Sequence, residues 1–474
     1  MPKPSRLNPQ RLFSSCPIQR DIATGLYLAV KDLPIISPHG HTDPRWFADN
    51  DAFENPTALL LQPDHYLLRM LYSQGIDLAT LGIHASTGAP AETDPEKVWQ
   101  LFADHYGLFR GTPPRLWMDH VMAEVFNIDQ RLDGDSAADI YRHIDAQLKT
   151  AEFRPRALFE RFNIEVIATT ESPLDPLAAH QKLRDDPWPG RIITTFRPDP
   201  VVDPEYENFS ANIEQLASLS GENCDSYKDY LRALRERRSF FKSLGATASD
   251  HGHPCAHTAD LPESTCEQLY QRALAGTITA TEAEQFRGQL LTEMALMSLE
   301  DGLVMQLHPG VYRNHNPSLF EHYGRDKGAD IPLPGEFVRQ LKPLLDRVGN
   351  RSDFTLILFT LDETTYSREL APLAGHYPAV KLGPPWWFHD SPEGMLRYRQ
   401  QITETAGFYN TVGFNDDTRA FLSIPARHDV ARRMDARFLA QLVAEHRLEL
   451  DEAEVLIQDL SYHLAKQAYR LQES

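Results

Sequence analysis

Eight short apolar segments, rich in β-branched residues, recur along the chain and are separated by helix-like segments. Several of them are continuously apolar rather than alternating, which is typical of strands buried on both faces. Most of them end in polar, glycine or proline residues. The eight runs span residues 33–41, 164–172, 191–199, 244–252, 303–310, 354–362, 379–387 and 409–417.

Eight strands of this kind, joined by helices, predict an α/β fold in which a parallel sheet closes on itself as a (β/α)8 TIM barrel. A doubly wound open sheet is the alternative. That alternative lacks support because no G-x-G-x-x-G follows the first strand.

Two spacings between these runs are too long for a single helix and its loops. Residues 42–160 separate the first and second runs, and residues 253–302 separate the fourth and fifth. Both stretches carry helical patterns, so we expect helical insertions after strands 1 and 4. Residues 427–474 are charged and helical in pattern and predict closing helices. The whole chain, 1–474, is then one barrel domain.

Composition bounds the class of protein. Hydrophobic residues make up 42% of the 474 residues, which permits a sizeable core, and the formal net charge is −20. Such a charge gives no basic footprint for nucleic acid, and an anionic ligand would need a local arginine cluster. No apolar stretch is long enough for a signal peptide or a membrane span, so the expected location is the cytoplasm.

The four cysteines are sparse and show no C-x-x-C spacing, which predicts reduced thiols rather than disulfides or a zinc knuckle. They are Cys16, Cys224, Cys255 and Cys266.

Two histidines, His39 and His41, stand at the end of the first run. Residues i and i+2 of a strand share a face, so both imidazoles point into the barrel mouth, where barrel active sites lie. Asp417 ends the eighth run, beside Asp416, and only one of the two can face inward. Two histidines and one carboxylate leave positions open for water or substrate, which is typical of a catalytic metal centre. The alternative for Asp417 is a helix cap.

Three arginines follow strand ends: Arg197, Arg313 and Arg419. A guanidinium binds a carboxylate through two parallel hydrogen bonds, so three of them at one face of a barrel predict a pocket for an acid. Any one of them alone is as well explained by a surface salt bridge.

Other polar residues also follow strand ends. His308, at the end of the fifth run, is interpreted as a metal ligand, a general acid/base or a structural histidine. Asp250, at the end of the fourth run, can orient an arginine or a substrate hydroxyl. Trp386, which opens a Trp-Trp-Phe string, predicts either the wall of a sugar pocket or ordinary packing at the rim.

A helical pattern in the first insertion contains Asp64-His65-Tyr66 and Arg69. His65 and Arg69 are four residues apart and share a helix face. Tyr66, flanked by His65, can supply acid/base groups from a lid. The alternative is a helix whose aromatic ring packs into the core.

These residues together resemble the uronate isomerases, a branch of the amidohydrolase superfamily, almost from end to end. The ordered set is more specific than any one motif. It comprises H-x-H at 39–41, DHY-x-x-R at 64–69, TT-x-x-P-x-D at 169–175, RPD at 197–199, SDHG at 249–252, MQLH at 305–308 with Arg313, WWF at 386–388, D-x-R at 417–419 and the closing stretch IQDLSYHLAKQAY.

The resemblance implies interconversion of an aldouronate with its 2-ketouronate, such as glucuronate with fructuronate or galacturonate with tagaturonate. It implies a divalent metal, zinc by expectation, at His39, His41 and Asp417, and no organic cofactor. Tyr66, assisted by His65, would move the proton between C2 and C1, and Asp417 would take a hydroxyl proton.

For substrate binding, the resemblance implies that the open-chain acid is held by Arg197, Arg313 and Arg419, together with Asp250 and His308. Such a chemistry needs a positioned base and a group that stabilises the developing oxyanion. One departure from the family is Asp43, close behind the second histidine, which is expected to alter metal affinity or pocket shape.

Two rival functions remain open at this point. One is a mononuclear hydrolase or deaminase on the same barrel. The deaminases carry H-x-G-E, however, and the nearest string here runs from His308 to Val311 without the glutamate. The other is a non-catalytic protein that binds sugar acids. The large helical stretches also allow contacts between subunits of a homo-oligomer.

Overall fold

A computed structural model of the chain describes residues 7–471. Its main sheet contains seven parallel strands in the order in which the chain meets them, and it is curled. The seven are β1 (Ile35–Ser37), β2 (Ile164–Glu171), β3 (Arg191–Phe196), β4 (Ala248–His251), β5 (Val304–Leu307), β8 (Leu356–Leu358) and β9 (Val380–Leu382). A separate antiparallel pair consists of β6 (Val311–Tyr312) and β7 (Ile331–Pro332).

Helices fill the connections between these strands. Those up to β4 are α1 (Pro17–Val30), α2 (Pro44–Asp49), α3 (Pro56–Leu60), α4 (His65–Tyr72), α5 (Pro95–Asp104), α6 (Pro113–His120), α7 (Ala137–Leu148), α8 (Pro155–Arg161), α9 (Ala178–Arg184), α10 (Asp199–Val202), α11 (Phe209–Ser220) and α12 (Tyr227–Ser243).

The later helices are α13 (Glu263–Leu274), α14 (Ala280–Asp301), α15 (Pro317–Tyr323), α16 (Lys342–Val348), α17 (Ala371–Ala374), α18 (Pro392–Ala406), α19 (Ile424–Ala444), α20 (Leu450–Gln458) and α21 (Leu464–Ala468). Many of them begin with proline in the first turn, where the missing N–H costs nothing. Within residues 7–471 no helix has the length and apolar character needed to cross a membrane.

Seven of the eight predicted strands are confirmed, and the eighth run differs from the prediction. Only Thr411 forms a bridge, to Leu382 of β9. Gly413 then adopts φ +74° and Asp417 φ +40°, conformations that interrupt an extended strand. The run nevertheless lies between β9 and the end of β1, because backbone hydrogen bonds join it to both.

The interior of the sheet is packed with apolar side chains from successive strands. Six of the seven strands, all but β9, supply residues to one buried cluster, which includes Ile36, Val166, Ile193, Ala248, Val304, Ile357 and, from the eighth run, Val412. This packing below and a polar opening above are what position the site at the carboxyl ends of the strands. The four cysteines are free thiols, as predicted.

Candidate active site

A cavity of about 760 Å³ opens at the carboxyl ends of the parallel strands. It brings together residues that lie up to 380 positions apart in the sequence. Its walls include ten of the eleven predicted site residues: His39, His41, His65, Tyr66, Arg197, His308, Arg313, Trp386, Asp417 and Arg419. Asp250 is fully buried and lies behind this wall.

Backbone hydrogen bonds hold the first and eighth runs together at the cavity floor. The amide of His41 donates to the carbonyl of Thr418 (3.0 Å), and the amide of Asp417 donates to the carbonyl of His39 (3.3 Å). The H-x-H and D-x-R motifs are therefore held side by side by the main chain itself. Asp417 reaches this position with a left-handed backbone that non-glycine residues seldom adopt, and such strain is concentrated at functional sites.

The three side chains of this floor converge on one point. Oδ1 of Asp417 lies 3.0 Å from Nε2 of His41 and 3.5 Å from Nε2 of His39. The neighbouring Asp416 points the other way and contacts Nε2 of His428 on α19 at 3.1 Å. The expectation that only one of the paired aspartates faces inward is thus confirmed.

The charge states of the floor suit a cation. Burial lowers the pKa of His39 to about 4, which keeps this imidazole neutral and free to ligate. Burial by itself would raise the pKa of Asp417, but the facing His39 and His41 hold it well below its usual range. Two imidazoles and one carboxylate form a ligand set typical of a catalytic metal centre with an open position.

Three clusters in the described part of the chain bring nitrogen and oxygen ligands within 4.8 Å of one another. The one formed by His39, His41 and Asp417 fits a metal best. In the second, Asp250 already binds both His308 Nδ1 (2.5 Å) and Arg197 Nη1 (2.9 Å). In the third, around Asp199, a cation would meet the guanidinium of Arg197, whose Nε donates to that carboxylate at 2.9 Å.

His308 stands beside the floor with one ring nitrogen free. Its ring stacks on that of His39 with centroids 4.9 Å apart, and the edge of Trp386 meets it at 4.8 Å. Nδ1 is held by Asp250, while Nε2 is buried without a hydrogen-bond partner. A histidine oriented by a carboxylate, with its other nitrogen free, is suited either to ligate a metal or to move a proton.

Each of the three predicted arginines already faces a carboxylate. Arg197 binds Asp199 and Asp250, as given above. Arg313 donates to Asp330 (2.9 Å), whose other oxygen accepts from the amide of Asn314.

The third arginine has the most accessible carboxylate partner. Arg419 lies 3.0 Å from Asp326, whose side chain is 45% exposed. Asp326 is therefore the carboxylate that an incoming acid can replace most easily.

Helix α4 delivers Tyr66 to the cavity, as the helical pattern predicts. Asp64 caps the helix by accepting from the amide of Tyr66 (2.9 Å). The rings of His65 and Tyr66 stack with centroids 4.9 Å apart. The guanidinium carbon of Arg69 lies 4.9 Å from the ring centroid of Phe388.

The hydroxyl of Tyr66 has a partner that no local pattern in the sequence marks. It donates to Oδ2 of Asp390 at 2.7 Å, and Nη1 of Arg427 donates to the same oxygen at 3.0 Å. Arg427 stacks over Trp117 at 3.6 Å. Burial raises the pKa of Asp390 to about 6 and raises that of Tyr66 well above its usual value.

Asp43 does not take part in the floor. Its carboxylate caps α2 by accepting from the amide of Arg45 (2.9 Å) and also binds the guanidinium of that residue. Another carboxylate on the wall, Glu171 at the end of β2, was not predicted from the sequence. It accepts a hydrogen bond from the hydroxyl of Thr194.

The chain matches a family of known proteins over almost its whole length. The family model described as glucuronate isomerase matches residues 13–469. A protein named uronate isomerase from Sphingopyxis alaskensis is 62% identical over 475 residues, which cover 99% of this chain and 100% of that protein.

Solved structures give the same result. A glucuronate isomerase from Caulobacter crescentus superposes with a TM-score of 0.97 at 59% identity, covering 99% of this chain and 98% of its own. A uronate isomerase from Thermotoga maritima superposes with a TM-score of 0.91 at 26% identity, covering 98% of this chain and 99% of its own. The likeness thus includes the helical stretches as well as the sheet.

Proposed function

This chain belongs to the glucuronate isomerase family, and from that premise we propose how its cavity carries out the reaction. It is an enzyme, an aldose–ketose isomerase that interconverts a hexuronate with its 2-keto form. D-glucuronate with D-fructuronate and D-galacturonate with D-tagaturonate are the two pairs we propose. The observation that carries the assignment is one cavity that joins a metal-ligand set, a buried tyrosine and three arginines.

His39, His41 and Asp417 are the residues that would hold a divalent metal, zinc in our proposal. The support is their convergence and their charge states, and no organic cofactor is required. When bound, such an ion supplies positive charge that stabilises negative charge developing on a substrate oxygen. Asp417, an anion before substrate binds, also accepts the proton of a substrate hydroxyl.

Tyr66 carries the proton between C2 and C1 of the substrate, with His65 stacked against its ring. As a buried phenol, it must first lose its own proton to act as a base. Asp390 accepts that proton along the 2.7 Å hydrogen bond, and its raised pKa, about 6, suits it to hold a proton near neutrality. Arg427 stabilises the anionic form of this pair.

The arginines bind and orient the open-chain acid. A carboxylate of the substrate replaces Asp326 at Arg419, because Asp326 is the most exposed of their acidic partners. Arg197 and Arg313 complete the pocket, and Trp386 forms a wall of it. Asp250, which is buried behind the cavity wall, orients Arg197 and His308 through hydrogen bonds. His308 Nε2 is left to serve as a further ligand or as an acid/base.

The architecture we propose is a (β/α)8 barrel closed by the eighth run, in a single domain spanning 1–474. Residues 42–160 and 253–302 are then helical insertions, and 427–474 are closing helices. Backbone hydrogen bonds from the eighth run to both β9 and the end of β1 support closure. We further propose a cytoplasmic protein that forms a homo-oligomer, has a small sugar acid as its partner, and binds neither nucleic acid nor a membrane.

The assignment is tested by proton NMR in D2O with zinc-loaded protein and either D-glucuronate or D-galacturonate. We expect at least one of them to convert to an equilibrium mixture with its 2-ketouronate, with loss of the anomeric signals. D-Glucose, which lacks the carboxylate, should stay unchanged. Unchanged spectra for both acids would contradict the assignment and return the hydrolase and the binding protein as candidates.

The role of Tyr66 is tested with the same assay. Tyr66→Phe removes the proton carrier and should lower kcat by roughly 10²- to 10⁴-fold with little change in KM. Tyr72→Phe, on the exposed end of the same helix, is the matched control and should behave as wild type. Full turnover in Tyr66→Phe would remove this residue from the mechanism.

A further inference from the structure

A chain of buried polar side chains runs beneath the metal-ligand set, on the side away from the cavity. Nε2 of Gln306 lies 3.4 Å from Nδ1 of His39. The hydroxyl of Tyr469 donates to Oε1 of the same glutamine at 2.9 Å, and Nδ2 of Asn415 donates to that hydroxyl at 3.2 Å. All four side chains belong to residues that are at most 5% exposed.

Tyr469 comes from the last described residues of the chain, just after α21. Arg470 next to it donates to the carbonyls of Gly302 (2.6 Å) and Asp353 (2.7 Å), which precede β5 and β8. The carbonyl of Leu471 accepts from Arg191 at the start of β3 (2.9 Å). Residues 469–471 thus cover the amino ends of the strands, and the hydroxyl of Tyr469 points into the interior of the sheet.

Nε2 of His39 faces Asp417, so this is the nitrogen through which His39 would hold a metal. Nδ1 would then carry the ring proton and donate it. The group that receives this proton must be the amide oxygen of Gln306. The amide nitrogen then turns toward Tyr469 and needs an acceptor, and a phenol hydroxyl accepts as well as donates.

We infer that Tyr469 and Gln306 are positioning residues for the metal, because together they hold His39 in the form that ligates through Nε2. The inference rests on the metal site proposed above. Gln306 contacts the ligand, and Tyr469 acts through Gln306. Without the hydroxyl, Gln306 would lose the partner of its amide oxygen in the observed arrangement and the partner of its amide nitrogen in the metal-loaded protein. A buried N–H without a partner is the more costly of the two, so the loss falls mainly on the metal-loaded state.

The inference is tested by the zinc affinity of the folded protein, measured by competition with a chromophoric chelator. Tyr469→Phe should weaken zinc binding by roughly 10- to 100-fold, the usual effect of removing a group that orients a ligand. Tyr462→Phe is the matched control. Its hydroxyl, seven residues earlier, donates to Glu165 at 2.5 Å and is not part of this chain of contacts. It should bind zinc as wild type does.

A double-mutant cycle separates this role from general loosening of the core. Gln306→Leu should weaken zinc binding to a similar degree, and the double variant Gln306→Leu/Tyr469→Phe should be no weaker than Gln306→Leu alone. Additive losses would mean that Tyr469 does not act through Gln306. Wild-type zinc affinity in Tyr469→Phe, or in Gln306→Leu, would likewise overturn the inference.

Two further variants distinguish failure of this inference from failure of the metal site. If His41→Ala and Asp417→Asn abolish zinc binding while Tyr469→Phe retains it, only the positioning role falls. If His41→Ala and Asp417→Asn bind zinc as wild type does, the proposed site itself is wrong and the inference falls with it.

Discussion

Two carboxylates on the wall of one cavity are held in opposite states by their neighbours. Asp417 faces two imidazoles, and its pKa stays well below the usual range. Glu171 accepts hydrogen bonds from the hydroxyls of Thr169 and Thr194, and burial raises its pKa to about 7. The first is therefore fixed as an anion, whereas the second takes up a proton near neutrality.

The state of Glu171 predicts a pH-dependent stability. Its folded pKa, about 7, lies above the ordinary 4.5, so the folded protein holds this proton more tightly than the unfolded chain. The stabilisation is complete below pH 4.5 and is lost as pH rises through 7. Glu171→Gln mimics the protonated acid. The free energy of unfolding of Glu171→Gln, minus that of wild type, should therefore increase from pH 5 to pH 8.5, by at most roughly 3 kcal/mol.

Urea denaturation of both proteins at the two pH values measures this difference. Glu454→Gln, at an exposed position on α20, is the control and should show no pH-dependent difference from wild type. If the free energies of unfolding of Glu171→Gln and wild type differ by the same amount at pH 5 and at pH 8.5, Glu171 is ionised at both pH values and the prediction is wrong.

At the scale of elements, helix α4 links stability with chemistry because its capping residue also anchors Tyr66. Asp64 accepts from the amide of Tyr66, and burial raises the pKa of Asp64. Asp64→Ala should cost about 1 kcal/mol of stability and should also lower kcat, because the start of the helix shifts. Asp64→Asn keeps a side-chain oxygen that can accept from the amide of Tyr66, so this variant should retain both the stability and the kcat of wild type.

The matched control for this prediction is another cap. Asn55 caps α3 by accepting from the amide of Ala58 (2.9 Å), and α3 carries none of the site residues. Asn55→Ala should lose similar stability with kcat unchanged. Thermal denaturation measures the stability, and steady-state kinetics the kcat, of wild type and of the three variants Asp64→Ala, Asp64→Asn and Asn55→Ala. A normal kcat in Asp64→Ala would separate the cap from the position of Tyr66.

The sequence predicts elements where the signal is local. Seven apolar runs form strands and the 64–72 pattern forms a helix, because each depends on periodicity within a few residues. The eighth run fails as a regular strand, because the positive φ of Gly413 and Asp417 is not visible in an apolar pattern. The strands β6 and β7 have only two residues each, which is too short to produce a recognisable apolar pattern in the sequence.

At the scale of the whole molecule, the site residues that were predicted also had a local signal in the sequence, and most of those that were missed had none. The eleven predicted residues all lie at or after strand ends or share the 64–69 motif, and the curled sheet gathers them at or just behind one face. Asp390, Arg427 and Tyr469 were not predicted because their importance arises only from contacts between distant segments. Gln306 had a usable signal, since it lies two residues before His308 and faces the same interior.

The proposed reaction needs one cation bound between the first and the eighth run of the chain. Anomalous diffraction at the zinc edge, from crystals grown with zinc, shows whether and where this cation binds. We predict one strong peak within roughly 2.0–2.2 Å of the imidazole nitrogens of His39 and His41 and of a carboxylate oxygen of Asp417, and no such peak in Asp417→Asn. A peak instead at Asp199, His251 and His253, or none in the cavity, would contradict the account.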